Sequence, residues 1–307
     1  MLNFDSAFGI LHNPGMLRRL LTIPFLVAAT LALAQGPDYV ASIERWRAGY
    51  ETALRAEDGW LTVVGLHWLE PGDNPAGSAA GSKVLLPPAA PARLGSFRLE
   101  GGQVHFEPAS VPGLAVNGRP ATATALRADD QPPYDRVTAG SLTLFVIHRG
   151  DRFGIRVRDR ESQARKAFTG TRWYPVDVRW RVVARFVPYQ PPKMIPILNV
   201  LGQVTPQPSP GYAAFDIGGR EYRLDPTGEG RTLFFNFRDA TSGDTTYAAG
   251  RFLYADAPVN GQVVLDFNRA ENPPCAFSEY ATCPLPPKQN VLAIRVEAGE
   301  QDTHHGR

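Results

Sequence analysis

The sequence predicts a mainly β protein: two β-sandwich or barrel units preceded by a single amphipathic helix. Three observations carry this expectation. Short apolar runs with a period of two recur about every ten residues through most of the chain. The 29 glycines and 28 prolines among 307 residues fall largely between those runs, where they supply turns. Only one stretch after the N-terminal region keeps a helical period. With 43% hydrophobic and 20% charged residues, the chain has enough apolar content for a core and too little charge to stay unfolded. The net charge is +2 and the arginines are scattered, so charge points to no nucleic-acid partner and to no other partner class.

In chain order, residues 1–34 read as an export signal that starts at Met16. A basic pair, Arg18 and Arg19, precedes an apolar run from Leu20 to Ala34 that ends in Ala32-Leu33-Ala34. Pro24 interrupts the run, which at about 15 residues is short of the ~20 needed to span a bilayer. No stable membrane span is expected in the mature protein, and no cysteine follows the run to take a lipid. The expected location is periplasmic or secreted.

Residues 35–70 hold the helix and the first strand. Asp38 is the N-cap candidate, and Tyr39, Ile43, Trp46, Tyr50 and Leu54 share a face that ends near Gly59. Trp60 to Leu69 reads as a strand. Residues 71–160 form the first β-sandwich and residues 161–300 a second β-sandwich or barrel, with a disordered tail at 301–307. The run "SLTLFVIHRGDRFGIRVRD" reads as a hairpin about Arg149, Gly150 and Asp151, with Phe153, Ile155 and Val157 on one face and Arg156 and Arg158 on the other. The segment "YQPPKMIPILNVLGQVTPQPSPGY" carries so many prolines that it reads as a long crossing segment. Further strands are expected at Tyr212 to Ile217, Glu221 to Leu224, Thr232 to Arg238, Arg251 to Tyr254, Gln262 to Asn268 and Val291 to Glu297.

Both cysteines, Cys275 and Cys283, sit among Pro273, Pro274, Pro284, Pro286 and Pro287. In an oxidising compartment a pair so spaced reads as a disulfide closing a short loop. Chain entropy gives such a bridge about 2.6 kcal/mol. Zinc held with two histidines, a nucleophilic thiol, and two inert thiols stay open as alternatives. The six histidines are dispersed, with His67, His105 and His148 on separate strands and His12, His304 and His305 near the termini, so no metal or other cofactor is expected.

Two resemblances bear on the fold. Around residues 77–160, the Gly-Ser before a β run, the "GSF" strand and Val116-Asn117-Gly118 give a rhythm similar to a forkhead-associated domain. The Gly-Arg and Ser-x-x-His elements with which that family reads phosphothreonine are missing. Over nearly the whole mature chain, "GWLTVVGLHWLEPGDNPAGS", "FRDATSGDTTYAAGRFLYAD", "LDFNRAENPPCAFSEYATCPLPP" and "NVLAIRVEAGE" resemble the bacterial and archaeal domain-of-unknown-function family numbered 1684. That resemblance implies a β-rich fold and transfers no catalytic residue.

Alternation supplies the candidate site. In "TLFFNFRD" it sends Phe234, Asn236 and Arg238 to one face, and in "GQVVLDFNR" it sends Val264, Asp266 and Asn268 to one face. Were the two strands neighbours, Asn236, Arg238, Asp266 and Asn268 would form a polar cluster able to bind a small molecule or cell-envelope component in a β-lined pocket. A hydrolase-like alternative uses Asp266 as acid or base, with Arg238 and Asn268 stabilising charge. A structural envelope module with that face in solvent is the third reading. Asp239, Asp244, Tyr247 and Arg251 read as turn chemistry leading into a strand. No nucleophile elbow, phosphate-binding loop, dinucleotide fingerprint or zinc-protease motif occurs.

Overall fold

The structure, a computed structural model, describes residues 37–228 and 231–302. The stretch read as an export signal and the tail from residue 303 lie outside the described residues. Among those described, no helix is long and apolar enough to cross a membrane.

Helix α1 spans Pro37–Arg55, with Asp38 inside the first turn, where a carboxylate favours the positive end of the helix. Ile43, Arg47 and Leu54, at steps of four and seven, are buried. Trp46 and Tyr50 stack at 5.8 Å, and Trp173 meets both edge-on at 5.7 Å. The chain then turns back through Gly59. A Cβ there would lie 2.4 Å from the carbonyl oxygens of Ala53 and Leu54, so only glycine fits.

Eleven strands follow: β1 (Val63–Trp68), β2 (Gly72–Gly77), β3 (Val84–Leu85), β4 (Gly95–Glu100), β5 (Gln103–Pro108), β6 (Ala115–Val116), β7 (Arg119–Pro120), β8 (Thr124–Leu126), β9 (Val137–Ala139), β10 (Leu142–Arg149) and β11 (Arg152–Asp159). They make one sheet in the order β1-β11-β10-β9-β6-β7 and another in the order β3-β2-β4-β5-β8. Phe97, Val104 and Phe106 from the second pack against Leu144, Val146, Ile155 and Val157 from the first, giving a sandwich with one apolar core. The β10–β11 hairpin pairs Phe145 with Arg156 and Arg149 with Arg152, so its alternation is as the sequence indicates. Residues Trp60–Thr62 form a 3-10 turn before β1 instead of continuing the strand.

A short helix, α2 (Gln163–Ala167), is capped by the Ser162 hydroxyl, which accepts from the Arg165 N–H at 3.3 Å. Six further strands are β12 (Arg181–Leu198), β13 (Val204–Ile217), β14 (Arg220–Leu224), β15 (Thr232–Phe237), β16 (Arg251–Asp256) and β17 (Gln262–Asp266). The order β14-β13-β12-β17 forms a four-stranded sheet, and β15 pairs with β16. Their shared core holds Phe215, Phe235, Phe237, Leu253, Leu265 and Phe267. Phe267 lies at its centre, 5.4 Å from Phe237 and 5.8 Å from Phe215, and is fully buried.

Two expectations change here. The proline-laden crossing segment is a strand pair: Lys193 to Leu198 runs antiparallel to Val204 to Ser209, beyond a register shift between Pro188 and Lys193 that absorbs the prolines. Ile195 and Ile197 are covered, whereas Leu198, Val200 and Leu201 stay exposed. Val291 to Glu297 is not a strand. Side chains and isolated backbone bonds hold it instead: the Val296 N–H donates to Asp239 Oδ2 at 2.6 Å, the Val296 carbonyl accepts from Arg251 Nη2 at 3.0 Å, and the Leu292 N–H donates to the Arg238 carbonyl. Leu292, Val296 and Ala298 nevertheless complete the second core.

Candidate functional site

In β17 the period of two puts Val263 and Leu265 into the core and turns Val264 and Asp266 outward. Asp266 ends the strand opposite Arg181, and its carboxylate accepts from the Asn268 backbone and side-chain nitrogens, both at 3.2 Å. This capping bends the chain into a 3-10 turn, Phe267–Arg269, which brings Arg269 Nε to 3.8 Å from the same carboxylate. Asn268 is fully buried and also clasps Asp177, donating to its carbonyl at 2.8 Å and accepting from its N–H at 2.9 Å.

After the turn, Glu271 runs beside β16 and exchanges both backbone hydrogen bonds with Phe252. On that strand Leu253 and Ala255 face the core, so Tyr254 and Asp256 face the same side as Asp266. Trp46 of α1 closes the far wall. The result is a cleft of about 570 Å³ lined by Trp46, Arg181, Tyr254, Asp256, Val264, Asp266, Arg269 and Glu271. No hydrogen bond or ion pair reaches the Glu271 carboxyl among the described residues, and burial alone pushes its pKa up to about 7. Burial likewise pushes the Tyr254 phenol up to about 12.

Behind Glu271 lies Glu300. Its Oε2 accepts from the Asn272 N–H at 2.7 Å, and its Oε1 is buried with no hydrogen-bond partner. Burial pushes Glu300 up to about 8 despite that donor, and the charge of Glu271 pushes the same way. Tyr50 is held well above the usual phenol range by burial and by the two glutamates. Two carboxyls with raised affinity for a proton thus act on one another, Glu271 on the cleft wall and Glu300 fully buried outside its lining.

Of the residues read from the sequence, Asp266 and Asn268 meet, while Asn236 and Arg238 have other partners. The reason is topological: β16 pairs with β15 and lies beside β17, separating the two strands in question. Asn236 is buried, donates to the Pro284 carbonyl at 2.9 Å, and accepts at its own carbonyl from Asn290. Arg238 is exposed, and its backbone bonds to Asn290 and Leu292. Asp239 and Arg251 form a fully buried ion pair at 3.2 Å. Arg251 also donates to the carbonyls of Ala298 and Val296, so this pair fastens the last segment instead of facing a ligand.

Cys275 and Cys283 are not bonded to each other. The Cys275 N–H donates to Cys283 Sγ at 3.2 Å, and a thiol–thiol hydrogen bond holds Cys275 below the ordinary thiol range, at about 7, while pushing Cys283 up. Among the described residues, no group of three or more His, Cys, Asp or Glu is placed to hold a metal ion. His148 Nδ1 lies 2.8 Å from Asp130, and burial holds His67 down.

Alternation did not reach Glu271, because the 3-10 turn interrupts the period. The available signal was an unexplained acidic residue between the apolar Phe267 and two prolines, in "FNRAENPP". Trp46, Arg181 and Tyr254 belong to elements far apart in the chain, and nothing local marks their convergence.

Comparison with known proteins places this region in context. Residues 166–301, which include most of the cleft, match the model of a family described as protein of unknown function (DUF1684). An uncharacterized protein of the archaeon Haloarcula marismortui, solved by NMR in solution, is 32% identical. The match covers 46% of this chain and 81% of that one, with a TM-score of 0.39. A search of curated proteins gives no match. From the family match, and from a relative of which it covers four-fifths, the chain belongs to the DUF1684 family.

Proposed function

We propose that the cleft binds a small, neutral, hydroxyl-rich molecule, a saccharide free or carried on an envelope glycan. The supporting observation is the unpartnered Glu271 carboxyl opening into a cleft that also presents Asp256, Asp266, Arg181 and Arg269. Three carboxyls against two guanidiniums, with the Glu271 carboxyl about half protonated at neutral pH, leave little net charge to select an ion. The same groups supply both donors and acceptors to the cleft, as a polyol requires. Trp46 and Tyr254 offer flat faces for an apolar ring edge.

The test is calorimetric titration of the protein with a panel of mono- and disaccharides. Binding by at least one member, weakened roughly tenfold or more by Trp46→Ala and by Glu271→Gln, is the expected result. A panel with no binder, or binding indifferent to both substitutions, overturns the reading.

A catalytic second reading is favoured by Glu271 alone, because a carboxyl poised near pH 7 suits proton donation. Glu271 would protonate a leaving oxygen and Asp266, oriented by Asn268, would assist water. Arg238 takes no part. Chromogenic glycosides are the probe: activity that falls above about pH 7 and drops on the order of 100-fold in Glu271→Gln is expected. Activity unchanged in that variant excludes it.

In the same reading the protein is exported, and Cys275 and Cys283 close a disulfide outside the cytoplasm. Two thiols would give up two protons and two electrons to a disulfide-donating oxidant of that compartment. The Cys275 N–H to Cys283 Sγ contact keeps the sulfur-bearing residues adjacent for this step. Protein recovered from the cell envelope without reductant should show no titratable thiol; two free thiols overturn the assignment. The sandwich of residues 71–160 is taken as forkhead-associated-like, with no phosphopeptide reading attached.

A further inference from the structure

On the outer face of the first sheet, away from the saccharide cleft, period-two alternation gathers three arginines. Ile155 and Val157 of β11 enter the core, so Arg156 and Arg158 point outward. Phe145 and Arg149 of β10 share that face. The segment carrying Thr282, Cys283 and Pro284 crosses over them, together with Trp60, Tyr134 and Phe252. A pocket of about 490 Å³ remains beneath it.

The charges there do not balance. Asp129 is taken by Arg149, which grips both its oxygens at 2.9 and 2.7 Å. Arg156 is only 3% exposed and has no carboxylate within ion-pair distance among the described residues. Its Nη2 makes long bonds to the Tyr280 carbonyl at 3.3 Å and Thr282 Oγ1 at 3.5 Å, and its Nε has no partner. Arg158 stacks 5.1 Å over Phe145, and its Nε is also without a partner. Burial, and then the positive charge of Arg149, lower Arg156 to about 10, so it remains charged near neutral pH. A buried cation beside Arg158, with its Nε unused and no carboxylate of its own, has donor capacity left for an anion. The walls are aromatic: Trp60 lies with its ring 5.2 Å from the Arg156 guanidinium, and Tyr134, Phe145 and Phe252 complete them.

We propose that this pocket binds a small organic anion whose carboxylate or phosphate group meets Arg156 and Arg158 and whose flat apolar body lies among Trp60, Tyr134, Phe145 and Phe252. Size, charge and wall chemistry agree on that class. The acid group supplies the missing negative charge, and the ring replaces water against the aromatic side chains.

The experiment titrates the protein by calorimetry with benzoate, phenyl phosphate, inorganic phosphate and the neutral isostere benzamide. Binding of benzoate or phenyl phosphate at least roughly tenfold tighter than benzamide is expected, and the stronger of the two identifies the acid group. Equal binding of benzamide, no binding of either organic anion, or inorganic phosphate binding as tightly as phenyl phosphate overturns the proposal. Arg156→Met keeps the stem volume and removes the unpaired charge, so it should fold and lose the anion. Arg158→Gln, which is less buried, should weaken binding severalfold and serves if the first variant fails to fold. Wild-type affinity in whichever of these variants folds also overturns the proposal. Trp46→Ala should leave benzoate binding intact, which separates this site from the cleft at Glu271.

Discussion

Replacing Glu271 with Gln should make the protein more stable in alkaline solution and change it little in acid. In the unfolded chain a glutamate ionises near its ordinary value of 4.5, whereas burial holds Glu271 at about 7. Between those values the native state keeps a proton that the unfolded chain has released, so stability falls as pH rises through that interval. At ~1.36 kcal/mol per pH unit, the full loss approaches about 3 kcal/mol above the native pKa, with roughly 1 kcal/mol already lost at about pH 5. Glutamine keeps the shape and cannot ionise. It also removes the repulsion felt by Glu300, which acts in the same direction. The other groups on the cleft, Arg181, Tyr254, Asp256, Asp266 and Arg269, are common to both proteins and cancel in the comparison. Urea unfolding of both proteins at about pH 5 and about pH 8.5 should show the Gln variant gaining roughly 2 kcal/mol more at the higher pH. An equal difference at the two pH values would mean that Glu271 is ionised in the native state like any surface carboxylate.

Three further outcomes follow from the packing and are read by the same unfolding assay. Asp239→Ala strands the buried Arg251 guanidinium and should cost about 3–5 kcal/mol; a wild-type midpoint would show that the pair is dispensable. Phe267→Ala empties the centre of the second core for about 3–5 kcal/mol, while Val264→Ala, on the partly exposed cleft wall, should stay within about 0.5 kcal/mol. Comparable losses would contradict the inside–outside alternation of β17. Asn268→Ala removes the clasp on Asp177 and Asp266, costing about 1–3 kcal/mol, and should also weaken any saccharide bound in the cleft.

The extent to which the sequence disclosed these features differs by element. The hairpin β10–β11 and strand β17 were legible because each turns one face to an apolar core and sets polar or charged residues on the other, so their side chains alternate. The β12–β13 pair was not, since prolines ordinarily argue against pairing. Here the shift of register between Pro188 and Lys193 and the open outer edge accommodate them. At the cleft, Asp266 and Asn268 were found by period, and Asn236 and Arg238 were joined to them only by assuming which strands are neighbours. Strand adjacency is a long-range property, and alternation within a strand contains no information about it. Glu271 and Glu300 escaped for a related reason: both belong to irregular segments whose burial is set by helix α1 and Trp173, distant in the chain.

The ion pair of Arg251 with Asp239, together with the carbonyls of Val296 and Ala298, has a consequence for biogenesis. Leu292, Val296 and Ala298 fill the second core, and the anchor that seats them lies some forty residues earlier. A nascent polypeptide therefore waits for its closing residues before that half can consolidate. A chain cut short before Val296 should leave the Arg251 guanidinium without those carbonyls and be cleared by proteases.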